Sequence, residues 1–173
     1  MRTRIIIINI IRFILLLLMQ VFIFNKINLG GYLNPMVYPL FIILLPFEIS
    51  GFNLLLVAFF MGIGIDLFVG SIGLHAGATV FMAFFRTIGL RIISSNREYE
   101  SGISPGINDL GYLWFIKYTS LLVFAHHLYF FIMEAFTFVD FDETLFRVFI
   151  SSMFSIILIM FIDIIFKQNI GRR

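Results

Sequence analysis

The chain has 173 residues, of which 61% are hydrophobic and 13% are charged, and its mean hydropathy is +1.05. A soluble domain is roughly 45–50% apolar and about 25% charged, and a soluble fold of this length could not bury so much apolar surface. The composition therefore excludes a soluble globular enzyme and a disordered linker, and indicates a membrane protein. The net charge of +2 does not indicate nucleic-acid binding. The absence of cysteine excludes disulfides, thiolate zinc sites and thiol catalysis.

Runs of apolar residues predict an all-α integral membrane protein with six transmembrane helices, since each needs about 20 apolar residues. The first run follows two arginines and is too long for the apolar region of a signal peptide. The second contains three prolines, so it is the weakest span and is expected to be short or kinked. The six spans are predicted over residues 5–24, 31–49, 52–70, 74–93, 112–133 and 144–166. They leave room only for short loops, the longest over 94–111, and predict a single domain over 1–173.

The positions of Lys and Arg predict the orientation, because cytoplasmic loops of membrane proteins contain an excess of both. With six crossings and both termini in the cytoplasm, the cytoplasmic side receives Arg2, Arg4, Arg91, Arg97, Lys167, Arg172 and Arg173. The outer side receives only Lys26 and, near a helix start, Arg147, together with the acidic stretch 134–143. If the weak second span did not cross, the later basic residues would move outside. The charge distribution therefore favours six crossings.

Common catalytic signatures are missing from the sequence, including H-E-x-x-H, the P-loop, G-x-S-x-G and the paired-aspartate motif. His126 and His127 are adjacent, and adjacent residues on a helix point about 100° apart, so one helix cannot direct both toward one metal. His127 and Glu134 share a helix face but are too far apart along it for one small site. The sequence therefore predicts no catalytic, cofactor or metal site. The two histidines are expected to form interhelical hydrogen bonds or to lie close to the outer interface.

Several polar residues are predicted to lie at similar depth in the outer half of the bundle, when depth is counted along each helix. This predicted layer consists of Gln20, Asp66, His75, His126, His127 and Arg147. The side chain of Asp66 is short and cannot extend far, so at a depth of roughly 6 Å its charge must be neutralised, hydrogen-bonded or hydrated. We hypothesise that Asp66 anchors the third span to a neighbouring span. Three roles of the layer stay open: mutual hydrogen bonding, a pocket or partner contact, and proton or ion transport.

Arg86 is expected to behave differently from the layer. Together with Arg12 and Lys117, it falls in the cytoplasmic half of its span. Long basic side chains near a membrane interface extend toward it while their stems stay in the apolar region. We therefore expect these three residues to reach toward the cytoplasmic interface.

Glycines at spacings of four residues are predicted to pack helices. Gly62 shares a helix face with Asp66, and Gly73 shares one with Gly77. Small residues four apart let helix backbones approach closely in lipid. Gly62, Gly73 and Gly77 are therefore predicted to be helix-packing residues, and residues 70–73 also indicate a tight outer turn.

Three stretches of the sequence form a recognisable pattern. They are NIIRFILLLLMQVFIFNKINLGGYLNP over 9–35, GIDLFVGSIGLHAGATVFMAFFR over 64–86 and SPGINDLGYLWFIKY over 104–118. The most specific part is the spacing of Gly62, Asp66, Gly70, Gly73 and His75. With these stretches the chain resembles MreD, the family of small multi-pass rod-shape-determining membrane proteins, and most closely its Bacteroidetes-type members.

The resemblance implies a fold similar to the six-helix substrate-binding subunits of ECF-type vitamin transporters, in the bacterial cytoplasmic (inner) membrane. It implies a non-enzymatic scaffold of the elongation (rod) complex, or elongasome, which links peptidoglycan synthesis to the cytoskeleton and maintains cell shape. The implied partners are MreC and, through it, MreB, RodA and a class B penicillin-binding transpeptidase, besides membrane lipids. The family has no established catalytic residue. The alternative is a small-molecule binding subunit of a membrane transporter, because the implied fold is shared. A lipid-modifying membrane enzyme is the third reading, and no motif supports it.

Overall fold

The computed structural model describes residues 2–27, 32–71, 73–93, 105–137 and 139–168. Within them, five helices are long and apolar enough to cross a membrane: α1 (Arg2–Phe22), α3 (Gly51–Val69), α4 (Leu74–Ile93), α6 (Tyr112–Ala135) and α7 (Phe141–Gln168). The shorter elements are a 3₁₀ turn (Phe24–Lys26), α2 (Pro39–Ile43) and α5 (Ile107–Leu110). The chain is an all-α membrane helical bundle. Most of the predicted loop 94–111, and the basic residues Arg97, Arg172 and Arg173, lie outside the described residues.

The second predicted span, 31–49, contains only a five-residue helix, α2. The prolines of this stretch explain why its helix is so short. Pro39 stands in the first turn of α2, where the N–H group that proline lacks would have no partner within the helix. Pro46 follows shortly after the helix. A residue that precedes proline is disfavoured in the helical region, so α2 ends before Pro46. The described residues therefore contain five long apolar helices where six spans were predicted.

We call residues 32–46 the inner segment, because it runs through the bundle from one end to the other. Helices α1 and α3 are parallel: the rings of Phe22 and Phe68, near their C-terminal ends, lie 6.3 Å apart. Near their N-terminal ends, residues 5–10 of α1 and Asn53 of α3 line one groove. The chain that links the end of α1 to the start of α3 must therefore return along the whole bundle. It does so in the interior, since residues 35–45 are all buried.

Close helix contacts depend on two of the three predicted packing glycines. A Cβ atom on Gly62 would lie 2.3 Å from the Cα atom of Ala76, so only glycine permits this approach of α3 to α4. A Cβ atom on Gly77 would lie 3.0 Å from the Tyr129 ring of α6. Gly73 is not a packing residue, because a Cβ atom there would meet nothing within 4 Å. It precedes the first residue of α4 and has a φ of +77°, so glycine serves the turn conformation there.

Candidate functional site

The backbone of the inner segment poses the main physical problem of this bundle. A helix satisfies its own N–H and C=O groups, whereas a non-helical segment at membrane depth needs partners from the surrounding protein. Residues 34–37 are non-helical, and residues 35–37 are fully buried. Four polar side chains of the long helices are partners of this backbone: Gln20, Arg86, Ser151 and Ser155.

Gln20, in the last turn of α1, binds the inner segment with both ends of its carboxamide. Its Oε1 atom accepts a hydrogen bond of 2.8 Å from the Val37 N–H, and its Nε2 atom donates one of 3.0 Å to the Pro35 carbonyl. A second donation, of 2.7 Å, reaches Asn25 Oδ1. The side chain thus replaces the neighbouring strand that would satisfy the same two groups in a β-sheet. Gln20 is completely buried, in keeping with this structural role.

Two serines of α7 satisfy the next groups. Ser151 Oγ accepts from the Asn34 N–H at 3.1 Å and donates to the Tyr32 carbonyl at 3.3 Å. Ser155 Oγ accepts from the Met36 N–H at 2.9 Å. Neither serine was predicted from the sequence to have a functional or structural role. Their only signal was the spacing of two small hydroxyl side chains one turn apart on an apolar helix.

His127 extends this network by one step. Its Nε2 atom lies 3.1 Å from Ser155 Oγ, and its Nδ1 atom lies 2.9 Å from the Val123 carbonyl. Because a carbonyl only accepts, Nδ1 must carry the proton, and Nε2 then accepts from the Ser155 hydroxyl. Met36, Ser155, His127 and Val123 therefore form one fully satisfied chain of hydrogen bonds. The two ring nitrogens of His127 are used in holding the inner segment to α6 and α7.

His126 contacts the inner segment at Tyr38. The Tyr38 hydroxyl and His126 Nε2 lie 2.7 Å apart, and the two rings meet edge to face with centroids 5.2 Å apart. The centroid of the Tyr38 ring also lies 5.8 Å from that of the His75 ring. Among the described residues His126 Nδ1 has no hydrogen-bond partner, although the side chain is completely buried. Tyr38 thus contacts two of the predicted layer histidines, His126 and His75.

Arg86 of α4 holds the opposite end of the inner segment. Its Nη2 atom donates to the Leu45 carbonyl at 2.5 Å and to the Pro46 carbonyl at 3.4 Å, and Nε donates to the Tyr118 hydroxyl at 2.7 Å. The side chain is only 2% exposed. The expectation that Arg86 reaches toward the interface is therefore wrong. The carbonyls beyond the end of α2 have no helical partner, and a guanidinium with its fixed fork of donors can satisfy them.

Asp66 of α3 binds the first turn of α4. Its Oδ1 atom accepts from the Ser71 hydroxyl at 2.5 Å, from the His75 N–H at 3.1 Å and from His75 Nδ1 at 2.9 Å. Its Oδ2 atom accepts from the Ala76 N–H at 2.9 Å. The first N–H groups of a helix have no intrahelical partner, and a carboxylate there also opposes the positive end of the helix dipole. Asp66 therefore caps α4 from the neighbouring helix.

Arg147 does not join the other predicted layer residues. It forms an ion pair of 2.8 Å with Glu134, and its guanidinium lies 4.7 Å from the centroid of the Phe131 ring. The predicted layer thus has three separate parts. Gln20, His126 and His127 hold the inner segment, Asp66 and His75 form the start of α4, and Arg147 joins α7 to α6.

A small cavity lies where these parts meet. Its volume is about 160 Å³. The lining residues are Phe24, Asn25, Asn34, Pro35, Met36, Val69, His75, Phe130 and Glu134. Pockets for small-molecule ligands usually measure about 300–1,000 Å³, so this cavity suits a few water molecules. Among the described residues no three His, Asp or Glu side chains come together as metal ligands would.

In comparison with known proteins, no protein-family model, curated protein or solved structure matches the chain.

Proposed function

We propose that the chain is a non-enzymatic membrane scaffold of the MreD type, which links peptidoglycan synthesis to the MreB cytoskeleton through MreC. The observation that supports this proposal best is the use of the buried polar groups. Gln20, His127 and Arg86 are engaged with the backbone of the inner segment or with the serine that holds it, and are unavailable to a substrate. A bundle filled in this way is rigid, which suits a subunit that holds partner helices in fixed positions.

The outer surface is consistent with partners inside the membrane. The face of α1 is exposed along its whole length, with Ile6, Ile10, Ile14 and Phe22 each more than half exposed. In water, this exposed apolar face of α1 would be unfavourable. Within a bilayer, it is available to lipid chains or to another helix. The proposed partners are MreC and, through it, MreB, RodA and a class B penicillin-binding transpeptidase.

A small-molecule binding subunit of a transporter is the second candidate. The observation in its favour is the polar cavity of about 160 Å³ beside His75 and Glu134. The volume argues against it, because a vitamin-sized ligand needs a pocket roughly twice as large or more. We therefore rank the scaffold first.

Co-purification separates the two candidates. Tagged protein is extracted in a mild detergent from the native membrane, and the same eluate is analysed by mass spectrometry for proteins and for small molecules. The scaffold predicts recovery of MreC, a protein with one membrane span, in near-stoichiometric amount, and the control is an unrelated tagged multi-pass protein. A monodisperse protein without MreC that is stabilised by a small molecule would contradict the scaffold.

The orientation gives a separate prediction. We infer six crossings with both termini in the cytoplasm of a bacterial inner membrane, the inner segment being the second crossing. Single cysteines are introduced at the exposed positions Lys26, Glu48 and Asp140, in a chain that has no cysteine of its own. Lys26→Cys and Asp140→Cys are expected to react with an impermeant thiol reagent from the periplasm, and Glu48→Cys only after the inner membrane is opened. Labelling of Glu48→Cys in intact inner membranes would contradict the second crossing.

A further inference from the structure

The groove between α1 and α3 has the length of one leaflet of the membrane. Its volume is about 920 Å³, and Phe41, Leu45 and Pro46 of the inner segment line it together with the two helices. Its walls are formed by residues between 5 and 13 of the first helix and between 50 and 60 at the start of the third, which is about 12 Å and about 15 Å of helix. The hydrocarbon core of a bilayer is about 30 Å thick, so the groove covers about half of it.

Contact between α1 and α3 closes the groove toward the middle of the membrane. One turn beyond its last residue on each helix, a Cβ atom on Gly64 would lie only 2.7 Å from Leu17 Cδ1. Farther along, the rings of Phe22 and Phe68 lie 6.3 Å apart. The two helices therefore meet in their C-terminal halves and separate toward their N-terminal ends. A transmembrane helix crosses both leaflets and could not follow the groove past Leu17, whereas an acyl chain ends within one leaflet.

The polar residues of the groove lie at one end, which we call the mouth. They are Asn9, Glu48, Ser50 and Asn53, and every other residue that lines the groove is apolar. The wall of α3 continues for about 10 Å from Asn53 to Phe60 without a polar side chain. A polar mouth at the membrane surface and an apolar interior fit the headgroup and the acyl chain of a phospholipid.

The mouth has a charge of each sign. Glu48 lines it and is exposed, and the exposed Arg4 directly precedes the first groove residue of α1. Arg4 forms no ion pair with the described residues. Ser50 Oγ accepts a hydrogen bond of 3.4 Å from the Asn53 N–H, so its hydroxyl proton and the exposed amide group of Asn53 can be donated to a phosphate. The charges therefore suit a headgroup that contains both an anion and a cation.

We propose that the groove between α1 and α3 is a binding site for one molecule of phosphatidylethanolamine. The lipid phosphate binds Arg4 and Asn53, the ammonium group donates to Glu48, and one acyl chain lies in the apolar part of the groove. Phosphatidylcholine has the same charges, but its trimethylammonium group has no N–H to donate. Phosphatidylglycerol has no cation, and its negative charge is repelled by Glu48. This inference goes beyond the scaffold function and does not depend on it.

Native mass spectrometry of the full-length protein tests the choice of headgroup. The delipidated protein in detergent is titrated with phosphatidylethanolamine, phosphatidylcholine and phosphatidylglycerol that have identical acyl chains, and the bound lipids are counted. We expect one phosphatidylethanolamine to bind first, with an affinity roughly threefold above phosphatidylcholine and roughly tenfold above phosphatidylglycerol, as suits one charged contact near a membrane surface. Equal affinities for the three lipids would overturn the proposal.

Three substitutions test the headgroup contacts. Glu48→Gln is expected to abolish most of the preference for phosphatidylethanolamine over phosphatidylglycerol, because the repelling carboxylate is lost together with the acceptor of the ammonium group. Arg4→Gln should weaken all three lipids roughly threefold to tenfold and leave their order unchanged, since all three contain the phosphate. Glu143→Gln is the matched control, because Glu143 is an exposed glutamate in the first turn of α7, and it should change nothing. A preference that survives in Glu48→Gln would overturn the proposal.

Photo-crosslinking tests the location of the acyl chain. Benzoylphenylalanine replaces Phe60 in the groove, and Phe84 of α4 is the matched control outside it. The two side chains are 53% and 61% exposed, so they meet the membrane to similar extents. In vesicles that contain both phosphatidylethanolamine and phosphatidylglycerol, we expect adducts from position 60 to be enriched in phosphatidylethanolamine, and adducts from position 84 to follow the composition of the bilayer.

The outcomes separate this site from the scaffold function. The same lipid composition in the adducts from positions 60 and 84 would overturn the lipid site. A protein adduct from position 60 in cells, in place of a lipid adduct, would also overturn it, because a partner helix would then occupy the groove. Both lipid measurements use the protein without MreC, so their failure would leave the proposed scaffold standing, and loss of MreC from the co-purification would leave the lipid site standing.

Discussion

Replacing Arg86 by methionine is expected to destabilise the bundle more than any exposed substitution. The change removes the donor of the Leu45 carbonyl and the hydrogen bond that Arg86 Nε donates to the Tyr118 hydroxyl. Each buried polar group left unsatisfied costs about 1–3 kcal/mol. Removing the buried charge of Arg86 recovers part of its desolvation cost. The Leu45 carbonyl, however, stays buried and loses its donor. We therefore expect a net loss of about 2–5 kcal/mol, and an unfolding temperature in detergent lower by about 5–15 °C.

The fluorescence of Trp114 reports on the surroundings of Arg86. Trp114 is the only tryptophan, and its ring lies 4.8 Å from that of Tyr118. The fluorescence of Trp114 should shift in Arg86→Met before global unfolding, because Tyr118 loses the hydrogen bond from Arg86. Arg91→Met is the matched control, since Arg91 is an exposed arginine of the same helix. Equal unfolding temperatures for the two variants would show that Arg86 does not hold the inner segment.

Asp66→Leu is expected to lower the amount of protein in the membrane severalfold. It removes the acceptor of the His75 and Ala76 N–H groups and of the Ser71 hydroxyl. Asp66→Asn is milder, because its carbonyl oxygen retains the contacts of Oδ1. Its amide nitrogen, however, would face the Ala76 N–H, so one buried donor loses its partner at a cost of about 1–3 kcal/mol. Stability is therefore expected to decrease from the wild type to Asp66→Asn and further to Asp66→Leu.

Hydrogen exchange in detergent gives the local readout for Asp66. The amide of Ala76 should exchange faster in both variants, and the amide of His75 should exchange faster in Asp66→Leu. Asp142→Leu, which changes an exposed carboxylate at the start of α7, should leave them unchanged. An Asp66→Asn protein of normal abundance, exchange and MreC recovery that fails to maintain cell shape would refute the capping role. It would favour proton or ion transport.

The inner segment explains why polar residues cluster in so apolar a chain. Three prolines prevent a long helix between α1 and α3, and the resulting backbone needs partners that lipid cannot provide. Gln20 and Arg86 meet this need at opposite ends, and Ser151 and Ser155 meet it between them. A substitution in any of these residues therefore affects a segment distant from it in the sequence.

The class of the fold follows from the amino-acid sequence alone. Composition and the lengths of the apolar runs required a helical membrane protein, because lipid tolerates an unsatisfied backbone so poorly. The prolines also identified 31–49 as the exceptional element. Depth along each helix placed Asp66 and His75 together, since residues on either side of a tight turn lie at the same height.

The roles of the polar residues, in contrast, depend on contacts between helices that are distant in the sequence. Depth does not determine the direction in which a side chain points around its helix, so Arg147 was grouped with Asp66 although its partner is Glu134. Arg86 was expected at the interface because nothing near it in the sequence indicates a buried partner. Its partners are two carbonyls of the inner segment, which lie 40 and 41 residues away in the sequence. The roles of Ser151 and Ser155 were not predicted for the same reason, since their partners lie 117 and 119 residues away in the sequence. Contacts of that range arise from the packing of helices around a non-helical segment, and no local pattern in the sequence encodes them.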